Sequence, residues 1–176
     1  MFWLAQMSDA ASLVLLSGYM ADMGFSGTQI SSVYATMALA ALVSPFLAGW
    51  LADRFFPSQI MLGICYVLTA PILVAAWQQT TFRGFWLCIA GVSLLRMPAR
   101  TLSNVVAFHH LRDRTRIGQV RVWGTLGWIF ISWCLSGYLR LWEGWDPGGS
   151  HMGDALLASA VISAICGLYC LSLPHT

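Results

Sequence analysis

Arg121-Val122-Trp123-Gly124-Thr125-Leu126-Gly127-Trp128 opens an apolar segment long enough to cross a membrane, and the rest of the chain is read outward from it. Arg121, Thr125 and Trp128 stand at i, i+4 and i+7, so a helix gathers a planar cationic fork, a hydroxyl and a large ring on one face. Such a face suits a polar solute that bears a ring. Gly124 and Gly127 fall on other faces and let neighbouring helices approach closely. A charge beside bilayer hydrocarbon is costly, so Arg121 is expected to face a wet cavity or a partner. The competing reading puts it at the cytoplasmic mouth of the helix, snorkelling to lipid headgroups.

Composition agrees with a membrane setting. Of 176 residues, 58% are hydrophobic and only 9% charged, and mean hydropathy is +0.70. These values point away from a soluble domain and toward a polytopic membrane protein. Every basic residue is Arg, and the formal charge of +2 is too small to imply a nucleic-acid partner. Cys65, Cys88, Cys134, Cys166 and Cys170 all lie in apolar runs without metal-ligand spacing. They read as small packing residues, with neither a disulfide framework nor a metal site expected. Met1 leads straight into an apolar run with no basic region and no small-residue cleavage site, so no cleavable leader is expected.

Six spans of bilayer length are expected, at about 2–21, 29–51, 60–77, 84–107, 118–140 and 153–173. Helices are the expected form, because backbone groups in hydrocarbon must be satisfied internally. Ser26, with Gln29 three residues on, reads as a capping box that opens the second helix. Gly24-Phe25-Ser26-Gly27 also fits the G-x-S-G pattern of intramembrane serine proteases. Here the serine lies in a loop, its pattern is accounted for as a cap, and the sixth span holds no His to act as base. An enzyme is therefore not expected.

The second span ends in Gly49-Trp50-Leu51-Ala52-Asp53-Arg54, a G-x-x-x-D-R turn. Gly49 would permit close approach, Asp53 would accept from a helix N-terminus, and Arg54 would pair with a facing carboxylate or carbonyl. The bland alternative is an ordinary charged turn. Pro57 reads as a helix-start residue for the third span, which is plain apart from Pro71.

The fourth span carries Arg96, Pro98, Arg100, Thr101, Ser103 and Asn104. Arg96 and Arg100, at i and i+4, repel each other unless something neutralises them. Pro98 should kink the helix and free a carbonyl. Either the helix ends early with Arg100 at the interface, or it continues through Val105-Val106-Ala107-Phe108 and lines an internal cavity; the continuing apolar run favours the cavity. Asp9 in the first span falls at a depth similar to Arg100 if both meet the same membrane face there, so an Asp9–Arg100 pair is expected. His109 and His110 open the most basic loop, read as a solvated cytoplasmic loop and not as a metal site. Trp142 and Trp145 read as interface anchors. One set of loops holds Arg54, Arg112, Arg114 and Arg116, the other Arg83 and Arg140, which places both termini in the cytoplasm.

Four of these stretches carry a resemblance. Gly24 through Ile30, Gly49 through Arg54, Met97-Pro98 with Ser103-Asn104 and Phe108, and Arg121 through Ile129 together resemble the N-terminal six-helix half of a major facilitator superfamily transporter. More closely, they resemble the nucleoside:proton symporter family. The resemblance implies an all-α polytopic membrane protein with six transmembrane helices, one half of that superfamily's fold. It implies proton-coupled nucleoside uptake across a bacterial-type inner (cytoplasmic) membrane by alternating access, with the proton as coupling ion and no other cofactor. Arg121, Thr125 and Trp128 match the helix 5 positions that contact nucleoside, and Asn104 joins them from helix 4. Asp9, Arg96 and Arg100 stand as cavity charges available for coupling, and Gly49, Asp53 and Arg54 as a gating turn.

The sequence departs from the family in three respects. The turn after Arg54 lacks the further basic residues usual in the superfamily. Arg96 and Arg100 stand where aromatic or apolar residues are usual, which turns specificity toward an anionic or more polar solute, such as a sugar or an aromatic acid. Family members also have about twice as many helices around a midplane site. The partners expected are therefore the lipid bilayer, a nucleoside, and a C-terminal half missing here or a second copy of the chain. An inactive membrane fragment is the remaining alternative.

Overall fold

The computed structural model describes residues 1–54, 58–110, 117–145 and 151–172; within the helices, the side chains of residues 45, 47, 48, 50–54, 58, 105–110 and 117 lie outside that description. Seven helices occur among the described residues: α1 Phe2–Leu13, α2 Leu16–Asp22, α3 Gly27–Arg54, α4 Ser58–Gln78, α5 Phe82–His110, α6 Ile117–Trp145 and α7 Asp154–Leu171. The molecule is all-helical. Three of the helices, across Gln59–Gln78, Gly118–Trp145 and Asp154–Leu171, are long and apolar enough to cross a membrane.

The first expected span is two helices. α1 stops at Leu13, and Leu15 sits at φ −100°, ψ 0° before α2 begins. The cause is local. The Ser12 hydroxyl donates back to the carbonyls of Ser8 (3.3 Å) and Asp9 (3.1 Å), bonding that bends a helix. α2 then closes in a Schellman turn. Gly24 takes φ +77°, the Gly24 N–H reaches the Ala21 carbonyl at 2.9 Å, and the Phe25 N–H reaches that of Met20 at 3.1 Å. The capping box follows directly. The Ser26 N–H donates to Gln29 Oε1 at 2.9 Å, and the Gln29 N–H donates to Ser26 Oγ at 3.4 Å. Ser26 therefore serves as a helix cap.

The fourth expected span does not end early. α5 continues through Pro98 to His110. α6 likewise runs past its expected end to Trp145. Near that end Trp145 is exposed, while the Trp142 ring stacks on the His151 ring at 4.3 Å.

α1 lies between α6 and α7, α4 between α5 and α7, and α5 between α3 and α4. Two glycine seams set these approaches. A Cβ on Gly127 would meet the Trp3 carbonyl oxygen at 2.7 Å, and one on Gly124 would meet Gln6 Cγ at 3.0 Å, so both glycines seat α6 against α1 as their positions predicted. The second seam, unforeseen in the sequence, joins α4 to α7, where a Cβ on Gly167 would meet the Gly63 carbonyl oxygen at 2.9 Å. Gly49 lies in a helix and not in a turn. No described atom lies within 4 Å of a Cβ placed there, and the chain around it is the continuous helix α3 through Arg54.

Large apolar side chains point outward as well as inward. Tyr66, Phe85, Leu62, Leu73 and Leu156 fill the interior, while Val122, Trp123, Phe130 and Trp133 of α6 are exposed. All five cysteines are free thiols. Cys65, Cys166 and Cys170 are buried as packing residues, but Cys134 lies on an exposed face.

Candidate functional site

A cavity of about 460 Å³ opens between α1, α5 and α6. Its lining includes Arg121, Thr125 and Trp128 from α6, Arg100, Ser103 and Asn104 from α5, Phe2, Gln6 and Asp9 from α1, and Tyr66 from α4. The three α6 residues come together because their spacing keeps them on one helix face. Arg121 and Thr125 are exposed and Trp128 is half-buried. Thr125 Oγ1 donates to the Arg121 carbonyl at 3.3 Å, which ties the hydroxyl to the turn below it. No ion-pair partner is found for Arg121 among the described residues. Asn104 Nδ2 donates to the Arg100 carbonyl at 3.2 Å, leaving its amide oxygen for other use.

Asp9 and Arg100 form the pair that equal depth predicts. Arg100 Nε donates to Asp9 Oδ2 at 2.7 Å, with the Asp9 side chain 1% and the Arg100 side chain 40% exposed. Arg96 shares the same carboxylate, its Nη1 lying 3.4 Å from Asp9 Oδ1. One acid thus neutralises two guanidiniums four residues apart, and this holds the like charges together on α5.

The two arginines have different surroundings. Arg96 is buried and absent from the cavity lining. Its Nη1 donates to Ser12 Oγ at 2.5 Å, and its Nη2 donates to Ser8, Ser159 and Ser163 Oγ at 2.7, 2.8 and 3.0 Å. The serines also bond one another. The Ser8 and Ser163 hydroxyls lie 2.6 Å apart, and Ser159 Oγ donates to the Ser8 carbonyl at 2.7 Å. The result is a polar knot that fastens α1, α5 and α7 together. Charge-assisted bonds of this kind are roughly twice as strong as neutral ones. Sequence reasoning did not assign these four serines. The available signal was their spacing, since Ser8/Ser12 and Ser159/Ser163 are both i, i+4 pairs and each presents two hydroxyls on one helix face.

Three buried polar atoms in this region have no hydrogen-bond partner among the described residues: the Tyr66 hydroxyl, Asp9 Oδ1 and Arg96 Nε. Of the expected gating turn, the side chains of Asp53 and Arg54 lie outside the described residues, as do those of His109 and His110.

Comparison with known proteins places this arrangement. The crystal structure of the nucleoside transporter NupG superposes on 99% of the chain with a TM-score of 0.88 at 30% identity, the match covering 42% of that chain. By sequence, the chain is 37% identical over 159 residues to the putative nucleoside transporter YegT of Escherichia coli (strain K12), covering 90% of this chain and 37% of the relative. It is 32% identical over 169 residues to the nucleoside permease NupG of the same organism, covering 93% and 38%. The xanthosine permease of that organism is 29% identical over 169 residues. The chain therefore spans about two fifths of the length of the curated relatives it matches. The profile of the nucleoside H+ symporters matches residues 2–176, and the chain belongs to that family.

Proposed function

We propose that the protein moves nucleosides together with protons across the cytoplasmic membrane of a bacterium. The observation that carries this reading is the convergence of Arg121, Thr125, Trp128 and Asn104 on one cavity of about 460 Å³, a volume within the range of small-molecule sites. Trp128 offers a face for the base, while Arg121, Thr125 and Asn104 offer hydrogen bonds to ribose hydroxyls or base edges. Six spans cross the bilayer, α1 and α2 together making the first, and both termini are cytoplasmic. The exposed apolar side chains of α6 support contact with lipid.

Alternating access brings a second six-helix half against this one, with substrate held between them. Asp9 is the acidic side chain in the cavity lining. With Arg96 and Arg100 it supplies the charges that respond to proton and substrate. The α3 end, with Asp53 and Arg54, serves as part of the gate.

The test is uridine uptake by cells expressing the protein from its native gene. Arg121→Ala is expected to abolish uptake while the amount of protein in the membrane stays normal. Uptake retained by that variant overturns the site assignment.

A further inference from the structure

Among the described residues, the charges around the cavity are unbalanced. Asp9, Arg96 and Arg100 form a cluster with one carboxylate for two guanidiniums. Arg121 adds a further cation to the lining, and Asp9 is the only acid lining the cavity among the described residues. An uncompensated charge at membrane depth is costly unless a partner arrives.

Geometry shows where that partner would bind. Arg100 spends only Nε on Asp9. That bond holds the guanidinium in place, and its two terminal nitrogens have no partner among the described residues. The side chain is 40% exposed, and it lines the cavity. Two parallel N–H groups on an oriented fork match an anionic group of two or more oxygens. Tyr66 adds a second unfilled donor. Its side chain is almost wholly buried, it lines the same cavity, and its hydroxyl has no hydrogen-bond partner among the described residues. Arg96 supplies charge from behind but no contact, because its Nη atoms are engaged by the serines.

We infer that the solute held here is an anionic nucleoside, one whose negative group is received by the terminal nitrogens of Arg100 with the Tyr66 hydroxyl as a further donor. This rests on the nucleoside reading above and narrows it. The negative group can come from a carboxylate on the base or from a 5′-phosphate on the ribose, and the same chemistry receives either.

The experiment is uptake of labelled uridine into proteoliposomes holding the purified protein under an imposed proton gradient. The competitors are uridine, orotidine (carboxylate on the base) and uridine 5′-monophosphate (phosphate on the ribose). At least one anionic competitor is expected to half-inhibit uptake at a concentration about tenfold below that of uridine, the advantage a charge-assisted bond gives over a neutral one. Which of the two does so identifies the source of the charge. Arg100→Gln and Tyr66→Phe are each expected to shrink the anionic-to-neutral ratio. Tyr66→Phe removes only an unpaired hydroxyl and so leaves the fold in place. Uridine competing as well as or better than both anions overturns the inference and leaves the nucleoside reading standing. Absence of any nucleoside uptake overturns both.

Discussion

Arg96 and Arg100 stand one helical turn apart on α5 and share a carboxylate, yet they belong to different regions of the molecule. Arg96 is enclosed by Ser8, Ser12, Ser159 and Ser163, with both Nη groups committed. Arg100 leans on Asp9 through a single nitrogen and turns the rest of its fork into the cavity. A buried cation whose terminal nitrogens are filled by its own chain acts as a fastener. A half-exposed cation with donors to spare acts as a receptor. Residue type is the same for both, so burial and the number of engaged terminal donors tell them apart.

Asp9 touches both regions, and replacing it should separate them most violently. Asp9→Asn leaves Arg96 buried without a counter-charge, which typically costs about 3–5 kcal/mol. The variant is expected to lose most of its folded protein, read as the thermal unfolding midpoint in detergent. An unchanged midpoint would mean that the serines alone carry the charge. Ser163→Ala probes the knot without touching the acid. It removes one bond from Arg96 and one from Ser8, and interhelical bonds in membranes are worth about 0.6–1.7 kcal/mol each. A modest drop in midpoint with uridine uptake per folded molecule unaltered is the expected result; lost uptake at normal stability would merge the two regions. Thr125→Val gives the smallest stability effect, within about 0.5 kcal/mol because the residue is exposed. Its uptake should nevertheless fall several-fold, since only the hydroxyl is lost. Equal uptake by the Val variant would remove Thr125 from the solute contacts.

Much of this was legible in the chain. Hydropathy located the helices, and three of them are long and apolar enough to cross a membrane, while the first expected span is two helices. The Arg121, Thr125 and Trp128 face follows from helical period alone. The Asp9–Arg100 pair followed from matched depth in two spans. Other features depend on which helix lies beside which, information that no single segment holds. The sixth span looked plain because Ser159 and Ser163 are small, and only their placement beside Ser8 and Arg96 gives them a role. Gly63 and Gly167, in unremarked runs, meet backbone to backbone. The break at Val14–Leu15 falls within an otherwise uniform apolar run that carries no Pro or Gly to mark it.

α1 is held by two unlike kinds of contact. Toward α7 it is pinned by hydroxyl bonds between Ser8, Ser159 and Ser163, which are directional and fix both its height and its rotation. Toward α6 it rests on Gly124 and Gly127, with the Trp3 ring 5.9 Å from those of Trp123 and Phe130, and no hydrogen bond crosses that seam among the described residues. One side of α1 is thus set by directional bonds and the other by packing alone.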